Sequence, residues 1–123
     1  MEQRILVALV DDDESVRESL PDALKRIGFK ARAFASAEEF LASDCIAGVQ
    51  CLILDVNMPG MSGPELQREL IGRGHAIPTI FITAQSAPSI PPGLLEQGAV
   101  ECLFKPFSKE DLRAALDAAL TRN

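Results

Sequence analysis

The 123-residue chain is short of several things, and each shortage removes a class of function. It has no excess of cations: 12 Lys and Arg against 18 Asp and Glu leave a net charge of −6. Phosphate contacts need clustered Lys and Arg, so direct nucleic-acid binding by this domain is not expected. No apolar stretch approaches the roughly 20 residues of a membrane-spanning helix, so no membrane partner is expected. Met1-Glu2-Gln3-Arg4 leads straight into a short strand-like run, without the pattern of a secretory leader. The cysteines, Cys45, Cys51 and Cys102, are odd in number and lack metal-ligand spacing, which marks them as reduced packing residues. One histidine, His75, lies in a glycine-flanked loop and receives no catalytic or ligand role. Internal repeats and low-complexity tails are missing too. A cytoplasmic domain is the expectation.

What is there is a 47% hydrophobic chain, enough for one domain with a real core over residues 1–123. Its apolar runs alternate with helical patterns. Arg4–Val10 reads as a first strand, Lys30–Ala35 as a short strand near an edge, and Cys51–Leu54 as a strand buried on both faces. Pro78–Thr83 and Val100–Phe104 read as a fourth and a fifth. Between them, Val16, Leu20, Leu24 and Ile27 recur at helical spacing, with Ser15 and Glu18 as a capping box and Gly28 as the stop. Pro21 conflicts with that helix and predicts a bend. Ser36 with Glu39 opens a short helix through Leu41. Ser62-Gly63-Pro64-Glu65 opens another, with Leu66, Leu70 and Ile71 as its apolar stripe and Gly72 and Gly74 at its end. Residues 86–93 carry Pro88, Pro91, Pro92 and Gly93, so a fourth helix is expected only from about Pro92 to Gln97. Ser108 caps the last helix, with Asp111 at its third position, a Phe107–Leu112 staple, and Leu112, Leu116 and Leu120 buried. This alternation implies an α/β fold, a doubly wound five-stranded parallel sheet of order 2-1-3-4-5 with an irregular fourth helix.

In that order the strand ends converge. The first strand ends on Asp11-Asp12-Asp13, the third on Asp55, the fourth on Thr83 and the fifth on Lys105. Open α/β sheets place their ligands at the carboxyl ends of the strands. A lone Asp there could simply satisfy loop amides, Thr83 could cap a strand, and Lys105 could be a surface lysine. Several carboxylates at one rim, however, repel one another unless a cation intervenes, and few carboxylates plus waters suit Mg²⁺. A lysine as point charge and a hydroxyl donor complete a set suited to phosphoryl transfer onto an aspartate. Asp13 is assigned to the helix start instead.

Those pieces resemble the receiver domain of two-component response regulators, over essentially the whole chain. The matching segments are Leu9-Val10-Asp11-Asp12, Leu52-Ile53-Leu54-Asp55 with Met58-Pro59 and Gly63, Ile82-Thr83-Ala84, and Phe104-Lys105-Pro106-Phe107. Ser36-Ala37-Glu38-Glu39-Phe40-Leu41 and Met61-Ser62-Gly63-Pro64-Glu65-Leu66 resemble the FixJ-like branch, whose members commonly carry a DNA-binding domain after the receiver. The resemblance implies a flavodoxin/CheY-like fold and a signalling switch, not a metabolic enzyme. It implies that Asp55 accepts a phosphoryl group from a histidine kinase or phosphotransfer protein and that the switch controls an output such as transcription. It implies Mg²⁺ held by Asp12, Asp55 and the backbone carbonyl of Asn57, with Asp11 acting through a metal-bound water. Lys105 is expected to pair with Asp55 at rest and Thr83 to bind the incoming group. A cis bond at Lys105-Pro106 and a homodimer through the fourth helix, fifth strand and last helix also follow. The chain is expected to be a single receiver domain, whole or the N-terminal part of a longer regulator.

Two positions depart from the family. Cys102 stands where a receiver has Phe or Tyr, and prolines interrupt the fourth helix, so the readout and the dimer face are expected to be altered. Two rival readings remain at this level. A Mg²⁺-dependent phosphatase with an aspartyl nucleophile would need a second acid near Asp55, where this chain has Asn57, and more room for substrate. A binding-only pseudo-receiver would have lost one of the acids, the threonine or the lysine.

Overall fold

The two most apolar runs lie side by side at the centre of one sheet in the computed structural model, which describes residues 5–84, 99–105 and 107–121. Strand β1 (Leu6–Val10) and β3 (Cys51–Asp55) are parallel, with Val7 opposite Cys51 and Val10 opposite Leu54. β2 (Lys30–Phe34) flanks β1; β4 (Thr79–Ala84) and then β5 (Ala99–Lys105) extend the other side. All neighbours are parallel and the order is 2-1-3-4-5, as the alternation of elements implied.

Successive side chains of a strand point to opposite faces, and here both faces are covered. Ala8, Val10, Leu52, Leu54 and Phe81 point toward α2 (Ala37–Leu41) and α3 (Gly63–Gly72), where Phe34, Phe40, Leu66 and Leu70 close the layer. Val7, Leu9, Cys51, Ile53, Ile80 and Ile82 point toward α1 (Glu14–Ile27) and α4 (Lys109–Thr121), meeting Leu20, Leu24, Leu112 and Leu116. Fully burying one such side chain stabilises the fold by about 1.5–3 kcal/mol. The placement of whatever follows β1 and β3 therefore rests on apolar packing, not on the polar groups themselves.

Local chemistry sets the helix ends. Ser62 and Glu65 form a reciprocal capping box at α3, with Pro64 in the first turn. Ser108 and Asp111 do the same before α4, where Phe107 and Leu112 join one cluster. Ser36 Oγ accepts from the Glu39 amide at 3.0 Å. Gly28 closes α1 in the left-handed conformation, its amide reaching the carbonyls of Leu24 and Lys25.

Two details differ from expectation, the cap of α1 and the stripe of α3. The start of α1 is not a Ser15–Glu18 box: Asp13 is the cap, and its carboxylate accepts from both the amide and the hydroxyl of Ser15. As expected, the helix continues through Pro21, from Glu14 to Ile27. On α3, Ile71 is 47% exposed and Gln67 takes the inward position with Leu66 and Leu70. A short 3₁₀ turn at Ile46–Gly48, without a sequence signal strong enough to predict it, leads into β3. The expected helix near 92–97 and the Lys105-Pro106 bond lie outside the described residues.

Candidate functional site at the carboxyl edge of the sheet

The register that stacks β1 on β3 brings their terminal acids together. Asp11 follows Val10 and is fully buried; Asp55 ends β3 at 6% exposure; Asp12 beside them is exposed. One oxygen from each of Asp11, Asp12 and Asp55 lies within 4.8 Å of the others. Facing them from the end of β5, Lys105 Nζ sits 2.8 Å from Asp11 Oδ2 and 3.8 Å from Asp55 Oδ2. The lysine thus leans on Asp11 more closely than on the expected partner, Asp55. Asp11 Oδ2 nevertheless has no partner in hydrogen-bond geometry, so its contact with the ammonium is ionic and not aligned. Two of the residues read as a metal set are buried beside an exposed third that solvent can reach, and one buried oxygen is left without an aligned donor. Oxygen donors of that kind suit Mg²⁺ with several waters retained.

Loop amides hold the acids in place. The Asp13 amide donates to Asp11 Oδ1 at 2.9 Å, and the Asn57 amide donates to Asp55 Oδ1 at 3.2 Å. Arg17, which the sequence offers only as a polar helix position, donates from Nη1 to the Asp11 carbonyl at 3.1 Å. Thr83 is buried at the end of β4, and Asn57 Nδ2 approaches its Oγ1 at 3.5 Å. Gly63 is a residue whose role only the structure explains. A Cβ there would lie 2.3 Å from the Asp55 carbonyl oxygen and 3.2 Å from Phe81 Cε1, so α3 can approach β3 only without a side chain at this position.

The electrostatics follow from this crowding. Burial, then the close approach and charge of neighbouring Asp11, push the Asp55 carboxyl up to about 7 from 3.8. Burial works against the Lys105 ammonium, but Asp11 and Asp55 overcome it and raise its pKa. Asp13 is held below the usual carboxylate range by its hydrogen bonds from Ser15, as befits a helix cap. A carboxyl that resists ionising alone ionises readily beside a divalent cation.

Every residue singled out from the sequence for the site is therefore at one rim: Asp11, Asp12, Asp55, Asn57, Thr83 and Lys105. His75 follows α3, its amide donating to the Leu70 carbonyl at 2.8 Å. Cys102 is half-buried on β5 opposite Phe81, on the side of α2 and α3, and Phe104, opposite Thr83, is 44% exposed.

Known proteins resemble this chain in sequence and in fold. Residues 7–117 match the model of the response regulator receiver domain. The chain is 39% identical over 119 residues to response regulator protein TmoT of Ectopseudomonas mendocina, covering 97% of this chain and 54% of that protein. It is 35% identical over 123 residues to the transcriptional regulatory protein FixJ of Azorhizobium caulinodans, covering 58% of it. The chain thus spans about half the length of the curated relatives it matches. Among solved structures, FixJ-N superposes with a TM-score of 0.85 at 35% identity, covering 99% of this chain and 98% of that one. Response regulator StyR superposes at 0.87 and 40% identity, covering 96% of this chain and 60% of that one. With residues 7–117 matched by the family's model and relatives at 35–39% identity over nearly its full length, this chain belongs to the response regulator receiver domains of two-component signalling.

Proposed function

We propose that the chain is a phosphoacceptor switch in which Asp55 takes a phosphoryl group from a histidine kinase or phosphotransfer protein in a Mg²⁺-dependent reaction. The observation that carries this reading is the buried Asp55 carboxylate, set within 4.8 Å of Asp11 and Asp12 and opposite Lys105. In the transfer, an Asp55 oxygen forms a bond to phosphorus as the donor's phosphorus–nitrogen bond breaks, and the leaving imidazole takes up a proton. Asp11, Asp12, Asp55 and the Asn57 carbonyl would hold Mg²⁺, which supplies positive charge to the phosphoryl oxygens when bound. Lys105 moves its charge from the carboxylates to a phosphoryl oxygen. Thr83 leaves its long contact with Asn57 and donates its hydroxyl to another. The output is transcription, by similarity to regulators such as transcriptional regulatory protein TdiR of Thauera aromatica. The domain turns over no separate metabolite; its only reactions are its own phosphorylation and dephosphorylation.

Intact mass spectrometry after incubation with Mg²⁺ and a small acyl-phosphate donor tests the reading. A single base-labile phosphoryl adduct should form, and excess EDTA or Asp55→Asn should abolish it. An adduct at the wild-type level on Asp55→Asn would refute the assignment.

A further inference from the structure

The loop between β3 and α3 carries Asn57, whose amide fixes Asp55 Oδ1, yet a residue from a separate helix, α2, holds its far end. Glu38 Oε2 accepts from the Met61 amide at 3.2 Å, a contact 23 residues apart in sequence. The neighbouring Gly60 has φ +75°, and the three atoms nearest to a Cβ built on it all belong to Glu38, at 3.1, 3.7 and 3.7 Å. The Glu38 carboxylate is therefore seated against the Gly60–Met61 backbone. Its own position is firm: Ser36 caps α2, and Ala37 and Phe40 on either side of the Glu38–Glu39 pair are fully buried. Acid at that helix start is favourable in any case, but the helix dipole needs only a charge there and no particular aim. The carboxylate instead points across to a loop amide.

We infer that Glu38 is a positioning residue for the phosphorylation site: by holding Gly60–Met61 from α2, it sets the path of the loop that presents Asn57 to Asp55 and to the metal. The inference rests on the receiver reading for its metal. A loop pinned at Asn57 and at Met61 has little freedom between them, whereas one pinned only at Asn57 must be ordered again each time the metal binds.

The test uses Glu38→Ala and Glu38→Gln in the whole chain, with Mg²⁺ alone titrated by calorimetry and amide hydrogen exchange followed without metal. Glu38→Ala should weaken Mg²⁺ about three- to tenfold, the span of one ordinary hydrogen bond at an exposed position, with the metal-free melting midpoint unchanged. Glu38→Gln keeps an acceptor oxygen and should bind Mg²⁺ within about twofold of wild type, since an exposed charge alone contributes little. Exchange at Asn57 and Met61 should quicken in Glu38→Ala only. Equal weakening in both variants would assign the effect to long-range charge and overturn the inference. So would a lowered melting midpoint with Mg²⁺ affinity intact, or unchanged exchange at Asn57. Wild type that binds no Mg²⁺ while Asn57 exchange still depends on Glu38 would remove the receiver reading and leave the loop clasp standing.

Discussion

The two sides of the site are built on different foundations. Asp11 and Asp55 continue strands whose inner residues, Val7 to Val10 and Cys51 to Leu54, are at most 1% exposed. Lys105 ends an outer strand, β5, on which Glu101 is exposed, Cys102 and Leu103 are half-buried and Phe104 is 44% exposed. Thr83 on β4 stands between them, buried but paired with β5. On the proposed function, the acids that hold the metal sit on the buried centre, and the groups that answer the phosphoryl group sit toward the edge, where motion disrupts less packing. On this account the central strands fix the chemistry and the β4–β5 side carries the response.

Truncating the core should separate the two sides most clearly. Leu54→Ala is expected to destabilise the protein by about 2–5 kcal/mol, as for a fully buried leucine, and Leu103→Ala by less than half as much. Urea unfolding measures both, and equal losses would erase the distinction. Next in size is Gly63→Ala, whose methyl would meet the Asp55 carbonyl oxygen at 2.3 Å. A backbone shift of that kind costs about 1–3 kcal/mol, and it should slow phosphorylation as well because it moves Asp55 itself.

A pH dependence follows from the acids. The folded Asp55 carboxyl, raised to about 7 from 3.8, holds its proton more tightly than the unfolded chain does. Its contribution is full below about pH 4 and is lost as pH rises through 7. Asp13 and Glu65 are shifted downward, so their effects fall below this window, and the raised Lys105 acts only at the alkaline end. Metal-free protein should therefore lose stability between about pH 4 and 7, by up to about 1.4 kcal/mol per pH unit for one proton, and level off above that. Mg²⁺ at pH 8 should restore it. A flat metal-free melting profile would contradict the strained acid pair.

The smallest effect is expected from Cys102→Phe. The Cys102 side chain is half-buried against the cluster that holds Phe81, and its thiol is held above its usual range by burial and Glu101. Filling it with a ring should leave the rate of phosphorylation within about twofold, because the acids are untouched, while changing exchange protection along β5.

Much of this was legible in the sequence because it depends on local rules. Apolar runs with both faces buried gave the strands, and three Ser caps marked helix starts correctly. The errors have physical causes. Asp13 does stand at the start of α1, as expected, but the Ser15–Glu18 box begins two residues too late, because the Asp13 carboxylate and not the Ser15 hydroxyl is the capping acceptor. On α3 the polar Gln67 took a buried place that hydropathy assigned to Ile71. Arg17, Gly63 and Glu38 act through contacts with residues 6 to 23 positions away or through a close backbone approach, and no pattern along the chain encodes those. The strand ends converged because topology brought them together, and the topology was already implied by the alternation of elements.

Amide hydrogen exchange on wild type, free and with Mg²⁺ plus beryllium trifluoride as a phosphoryl mimic, tests the division of labour most directly. The account predicts that protection changes most along β5, residues 99–105, and at Thr83, while 7–10 and 51–54 stay as slow as before. A change spread evenly over all five strands, or largest in β1 and β3, would contradict it.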